Sequence, residues 1–115
     1  MKKIKYTPDA ADKLREIKAA ISQEYGADSA KKIVKRITDA IRGLGDYEEK
    51  GPEVSKMFDV VSDCRYIFVS GNYVFYRIKD KCIRIINLYY EKEDFMWQLF
   101  GVDTTPQETI DYWNK

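Results

Sequence analysis

The chain has 115 residues, 44% of them hydrophobic and 34% charged, and a formal net charge of +1. That length holds one core rather than two, and the balance is globular, not that of a disordered or bilayer-spanning chain. The near-neutral total argues against recognition by bulk charge, so any anion site has to come from local clustering.

Histidine is absent, whereas tyrosine occurs nine times. Losing the commonest general base and metal ligand at neutral pH argues against a zinc hydrolase, a Ser-His-Asp hydrolase or a Cys-His protease. No metal and no cofactor is expected. The two cysteines, Cys64 and Cys82, lack a metal or redox spacing and suit a reducing compartment. The basic start Met1-Lys2-Lys3-Ile4 leads into no apolar stretch, which argues against a secretory signal. The reading is a cytoplasmic protein without a membrane partner.

Residues 2–6 alternate polar and apolar, as a short strand does. Thr7-Pro8-Asp9 then reads as a helix start: a capping hydroxyl, proline at the first position, and an acid for the dipole. Ala10, Leu14, Ile17, Ile21 and Tyr25 follow at helical spacing. Gly26 stops this helix and Asp28 or Ser29 caps the next, whose stripe is Ile33, Val34, Ile37, Ile41 and Leu44. A connection of about three residues implies an antiparallel αα-hairpin. Residues 45–63 read as irregular, punctuated by Gly51-Pro52 and anchored by Val54, Met57, Phe58, Val60 and Val61.

Three β-rich runs follow, Arg65–Ser70, Tyr73–Ile78 and Cys82–Tyr90, separated by Gly71-Asn72 and Asp80-Lys81. They predict an antiparallel meander. Phe95–Phe100 is a candidate short helix, and in the tail at 102–115 Pro106 followed by Gln107–Trp113 reads as one or two further helical turns. The expected fold is α+β, with an N-terminal strand, αα-hairpin, three-strand meander and short C-terminal helix over residues 1–101.

With Gly71-Asn72 and Asp80-Lys81 as two-residue turns, one sheet face holds Ile67, Val69, Val74, Tyr76, Ile78, Ile83 and Ile85 and must pack on the helices. The other holds Tyr66, Phe68, Tyr73, Phe75, Arg77, Arg84, Ile86 and Leu88. Arg77 opposite Arg84 is a like-charge pair, which costs stability unless an anion or acid lies between. Two readings stay open: ion pairs to Glu91, Glu93, Asp94 or Asp103, or a platform for phosphate or an acidic partner. A slip of register would change the faces. The same register sets Cys64 and Cys82 level but roughly 10 Å apart, two strand spacings, too far for a disulfide. Tyr66, Tyr73 and Tyr76 are strand formers, and aromatics beside arginines also grip bases or peptides.

The element order, with the run DCRYIFVSGNYVFYRIKDKCIRIINLYYEKEDF at Asp63–Phe95, resembles the RelE/ParE superfamily of bacterial toxins. Arg65, the Tyr76-Arg77 pair and the strand at Ile83–Leu88 fall where that superfamily has its recurring arginine, "YR" pair and final strand. The resemblance implies a toxin of a type II toxin–antitoxin module, silenced by a cognate antitoxin. It acts either by cutting messenger RNA at the ribosome, as RelE-like members do, or by poisoning DNA gyrase, as ParE-like members do. It further implies Arg65, Arg77 and Arg84 as phosphate stabilisers and Tyr89, Tyr90 or Lys92 as proton-transfer groups. Tyr66, Phe68, Tyr73 and Phe75 are the expected antitoxin-binding residues in this reading. The acidic stretch Glu91, Glu93, Asp94 departs from the basic ending of the nucleases and would repel a phosphodiester. The alternative is a non-catalytic interaction module or inactive relative; a third reading has Ile110 and Trp113 of the tail folding over the exposed face.

Overall fold

The computed structural model describes residues 1–57 and 62–90. The expectations for Phe58, Val60, Val61, Lys92, the acidic stretch, the helix at 95–100 and the 102–115 tail lie outside the described residues. The elements are β1 (Lys3–Tyr6), α1 (Pro8–Tyr25), α2 (Ala27–Gly43), α3 (Val54–Met57), β2 (Arg65–Val69), β3 (Asn72–Ile78) and β4 (Cys82–Tyr90). The four strands form one sheet in the order β1-β4-β3-β2, with β1 parallel to β4 and the other pairs antiparallel. The α+β architecture read from the sequence is the architecture found.

Thr7 caps α1 as its position predicts, its Oγ1 accepting from the Ala10 N–H at 3.1 Å. The same hydroxyl donates to the Ile86 carbonyl at 2.6 Å, tying the start of the helix to β4. The helix connection is shorter than expected. Gly26 alone, at φ +95°, ends α1 and begins α2, and no side chain caps α2. A positive φ turns the chain within a single residue, which glycine does without a Cβ penalty. Tyr25 is 67% exposed rather than part of the α1 core stripe, because the chain turns away immediately after it.

The main core joins Ala10, Ile37, Ile41 and Leu44 from the helical layer to Val74, Tyr76, Ile83, Ile85 and Leu88 from the sheet. Two features alter the expected register. First, β2 and β3 pair as Val69↔Asn72 through Arg65↔Tyr76, so the turn is Ser70-Gly71, not Gly71-Asn72. Both turn residues have positive φ, +51° and +78°, the backbone that a right-twisted two-residue hairpin demands. Moving the turn by one residue shifts the pairing of the two strands by two, Ile67 facing Val74 in place of Tyr76, so each side chain keeps its face. Cys64 consequently aligns with Arg77 and Arg84 rather than with Cys82; both thiols are free.

Second, β4 bulges. Tyr76 pairs with Ile85 but Phe75 pairs with Asn87, leaving Ile86 as the extra residue. A bulge reverses the alternation beyond it. Leu88, expected on the face away from the helices, therefore lies in the helix-side core, and Tyr89 takes the opposite face.

Candidate functional site

The sheet face away from the helices divides into two ends. At one end the face is closed: Val54 of α3, Cys64, Tyr66, Phe75 and Tyr89 form a second buried cluster, with Tyr73 and Ile86 packed against it. The short helix α3 supplies the lid, and its Val54 N–H donates to the Cys64 carbonyl at 2.9 Å. Tyr66, Tyr73, Phe75 and Tyr89 pack at centroid distances of 5.6 to 6.2 Å, Tyr73 stacked on Phe75 and the other pairs edge-on or tilted, geometries aromatic rings favour. Of the four aromatics expected to bind a partner, Phe75 is fully buried and Tyr66 7% exposed, while Phe68 is 50% exposed.

The arginines separate by strand parity. Arg65 pairs with Tyr76 on the helix side. Its guanidinium donates to the Gly51 carbonyl at 2.8 Å and meets Glu53 at 3.4 Å. Tyr76 works on the same loop: its hydroxyl donates to the Glu48 carbonyl at 2.8 Å and accepts the Gly51 N–H at 3.0 Å. Burial raises the Tyr76 phenol above the ordinary tyrosine value. Gly51 fits only as glycine here, since a Cβ would overlap the Tyr66 carbonyl and stand 2.8 Å from the Tyr76 hydroxyl oxygen. Arg65 and Tyr76 thus clamp residues 48–53 against the sheet.

Arg77 and Arg84 are cross-strand partners on the opposite face, as the alternation predicts. Arg77 resolves its half of the conflict through Asp63, at 2.8 Å. The Arg77 hydrogen bond holds the Asp63 carboxyl below its usual value, and the same bond raises Arg77. Arg84 is exposed and has no ion pair among the described residues.

Tyr89 is 5% exposed, accepts from the Asn87 amide at 3.0 Å, and lies 5.5 Å from the Lys13 ammonium. It stands five residues along β4 from Arg84, about 16 Å at strand rise. Tyr90, 47% exposed, belongs to the other face. There it lines a mostly apolar groove of about 800 Å³ with Ile17, Ile21, Tyr25 and Ile33 of the helices and Asn72 of the hairpin. Sequence reasoning missed this groove. Its one signal was the apolar stripe of α1 continuing past the part of the helix that the sheet covers.

The structure therefore does not gather Arg65, Arg77, Arg84, Tyr89 and Tyr90 into one constellation. It sets them in three places: a loop clamp, a cationic strand end, and an aromatic cluster with a groove behind it.

An N-terminal strand, a helix hairpin and a meander closing beside the first strand are the architecture expected of the RelE/ParE superfamily. The model of the ParE toxin of type II toxin–antitoxin systems, parDE, matches residues 4–95, and the chain belongs to that family. It is similar in fold to a chain in a solved structure described as the chromosomal ParDE TA system from P. aeruginosa. The TM-score is 0.67 and the identity 23%, over 78% of this chain and 96% of that one. No curated relative matches the sequence.

Proposed function

We propose that this chain is the growth-arresting toxin of a cytoplasmic toxin–antitoxin pair, and that its target is DNA gyrase rather than ribosome-bound message. One observation carries the choice of target. Phosphodiester cleavage needs phosphate stabilisers and a proton-transfer group within hydrogen-bond reach of one reacting centre. Here Arg65 is committed to Gly51 and Glu53 on the far side of the sheet. Tyr89 is buried about 16 Å from Arg84. A poison that acts by binding needs no such convergence, no metal and no cofactor.

An antitoxin would neutralise it by covering apolar surface, and the groove beside Tyr25 is the kind of exposed patch that marks a protein contact. Residues 1–101 make up the toxin domain in this reading, with 102–115 a tail beyond it; the family match over residues 4–95 supports that boundary.

Induced expression in bacteria tests the target. The expected result is arrested growth with broken or relaxed chromosomal DNA and intact message. Arrest with message cut inside open reading frames would replace gyrase by the ribosome. Undisturbed growth would favour the second reading, an inert interaction module, which the sealing of Tyr66, Phe75 and Tyr89 into a core also fits.

A further inference from the structure

The other end of the outer face carries a cation grid that the loop clamp and the aromatic cluster do not use. Parallel pairing sets Lys5 beside Arg84 and Lys3 beside Cys82. Antiparallel pairing sets Arg77 beside Arg84, and the Lys79 N–H donates to the Cys82 carbonyl at 2.9 Å. Two rows result across three strands: Lys5-Arg84-Arg77 and Lys3-Cys82-Lys79. Neighbours within a row are about 4.8 Å apart and the rows about 6.6 Å apart. Lys3, Lys5, Lys79 and Arg84 are all exposed, and none makes an ion pair among the described residues. Among the described residues the nearby carboxylates are Asp63, committed to Arg77, and Asp80 in the turn.

Like charges opposed across strands destabilise a sheet, and no internal acid among the described residues offsets Lys5 against Arg84. An external polyanion would. The chemistry of the patch narrows which one. Single-stranded nucleic acid is held by aromatic platforms, but Tyr66, Phe75 and Tyr89 are sealed in the second cluster, and Phe68 stands at the far end of the face, opposite Tyr73. An acidic peptide takes its affinity from apolar anchors in pockets, and the described residues at this end of the face present none. What remains is a flat field of charge. A duplex offers one phosphate per about 1.7 Å of axis, so about six lie along a patch three strands wide.

We propose that Lys3, Lys5, Lys79 and Arg84 form a sequence-independent docking surface for the phosphodiester backbone of duplex DNA. The inference rests on the gyrase reading, since gyrase presents duplex DNA to whatever binds beside it. The toxin would hold the enzyme's DNA as well as the enzyme.

The test is fluorescence anisotropy of a labelled duplex titrated with the purified chain at about 50 and about 200 mM salt. Four phosphate contacts predict a loss of affinity of roughly 100-fold across that range. A Lys5→Gln/Arg84→Gln variant should bind more weakly at low salt and lose only roughly 10-fold, with its melting temperature raised because the like-charge pair is gone. A Lys31→Gln/Lys32→Gln control on the exposed surface of α2 should behave as the parent. Equal binding by the Lys5/Arg84 variant and the parent would overturn the proposal, as would polyglutamate competing as well as DNA. Gyrase inhibition measured on the same preparations separates the two readings. Inhibition without DNA binding would remove the docking surface and leave the target standing.

Discussion

Tyr76 stands at the middle of the sheet, fully buried, yet its hydroxyl closes two backbone bonds on the 48–53 loop. Tyr76→Phe strands the Gly51 N–H and the Glu48 carbonyl, and should lower unfolding free energy by about 1–3 kcal/mol in denaturant titrations. It should also alter the alkaline limit. A phenol whose folded value is raised contributes stability in full below the ordinary tyrosine value of about 10, and loses it as pH rises through the folded value. The parent should therefore weaken more steeply above that pH than Tyr76→Phe does. Arg65 is a neighbour in this clamp, so Arg65→Ala should act first on stability, visible as faster proteolysis within residues 48–53. Growth arrest lost by this variant at full stability would return Arg65 to a direct role. The sequence already held the clue that separates Arg65 from Arg77 and Arg84. It shares strand parity with Ile67 and Val69, and alternation alone sends it to the helix side. What alternation cannot supply is Gly51, whose close approach to Tyr66 and Tyr76 joins residues far apart in the chain.

Among the elements, the two long helices, the strands and both hairpins were legible because their signals are local: hydrophobic period, a capping threonine, turn residues; α3 was not. Neither was the bulge at Ile86. Nothing in Ile85-Ile86-Asn87-Leu88 marks it, and the contact that accompanies it is tertiary: the Ile86 carbonyl accepts from Thr7, adjacent in space but far away in the chain. Two predictions belong here. Thr7→Val removes both the cap and this anchor, and should cost about 1–2 kcal/mol, read as a lower urea midpoint. Deleting Ile86 takes out the extra residue and restores strict alternation, so Asn87, Leu88 and Tyr89 keep their partners and faces. The variant should still unfold cooperatively, at a lower urea midpoint because the Thr7 anchor is lost. Loss of cooperative unfolding would contradict the assigned register. The Ser70-Gly71 turn was missed by one residue because Asn72 looks like a turn former. Its side chain instead donates to the Ser70 carbonyl at 3.0 Å from inside the strand.

At the scale of the whole molecule, the sheet is buried on both sides over part of its area and bare over the rest. The sequence suggested one continuous platform of arginines and aromatics. The structure divides it, because α3 and residues 62–64 close over the aromatic end. These covering segments carry no strong periodicity, which is why residues 45–63 read as irregular. If the aromatic cluster is a true second core, Phe75→Ala should cost about 3–5 kcal/mol, in the range of a helix-side truncation such as Ile85→Ala. An unchanged melting temperature would make Phe75 a surface residue again.

The division also supports the proposed target. A fold that places Tyr66, Tyr76 and Tyr89 in its cores and commits Arg65 to a loop fits a toxin that acts by binding, with the groove at Tyr25 and the cationic end as open surfaces. The direct measurement is a supercoiling reaction with purified gyrase, relaxed plasmid and the purified chain, run beside a translating extract. The account predicts inhibited supercoiling with trapped, cleaved plasmid, and intact message in the extract. Undisturbed supercoiling together with cut message would contradict it.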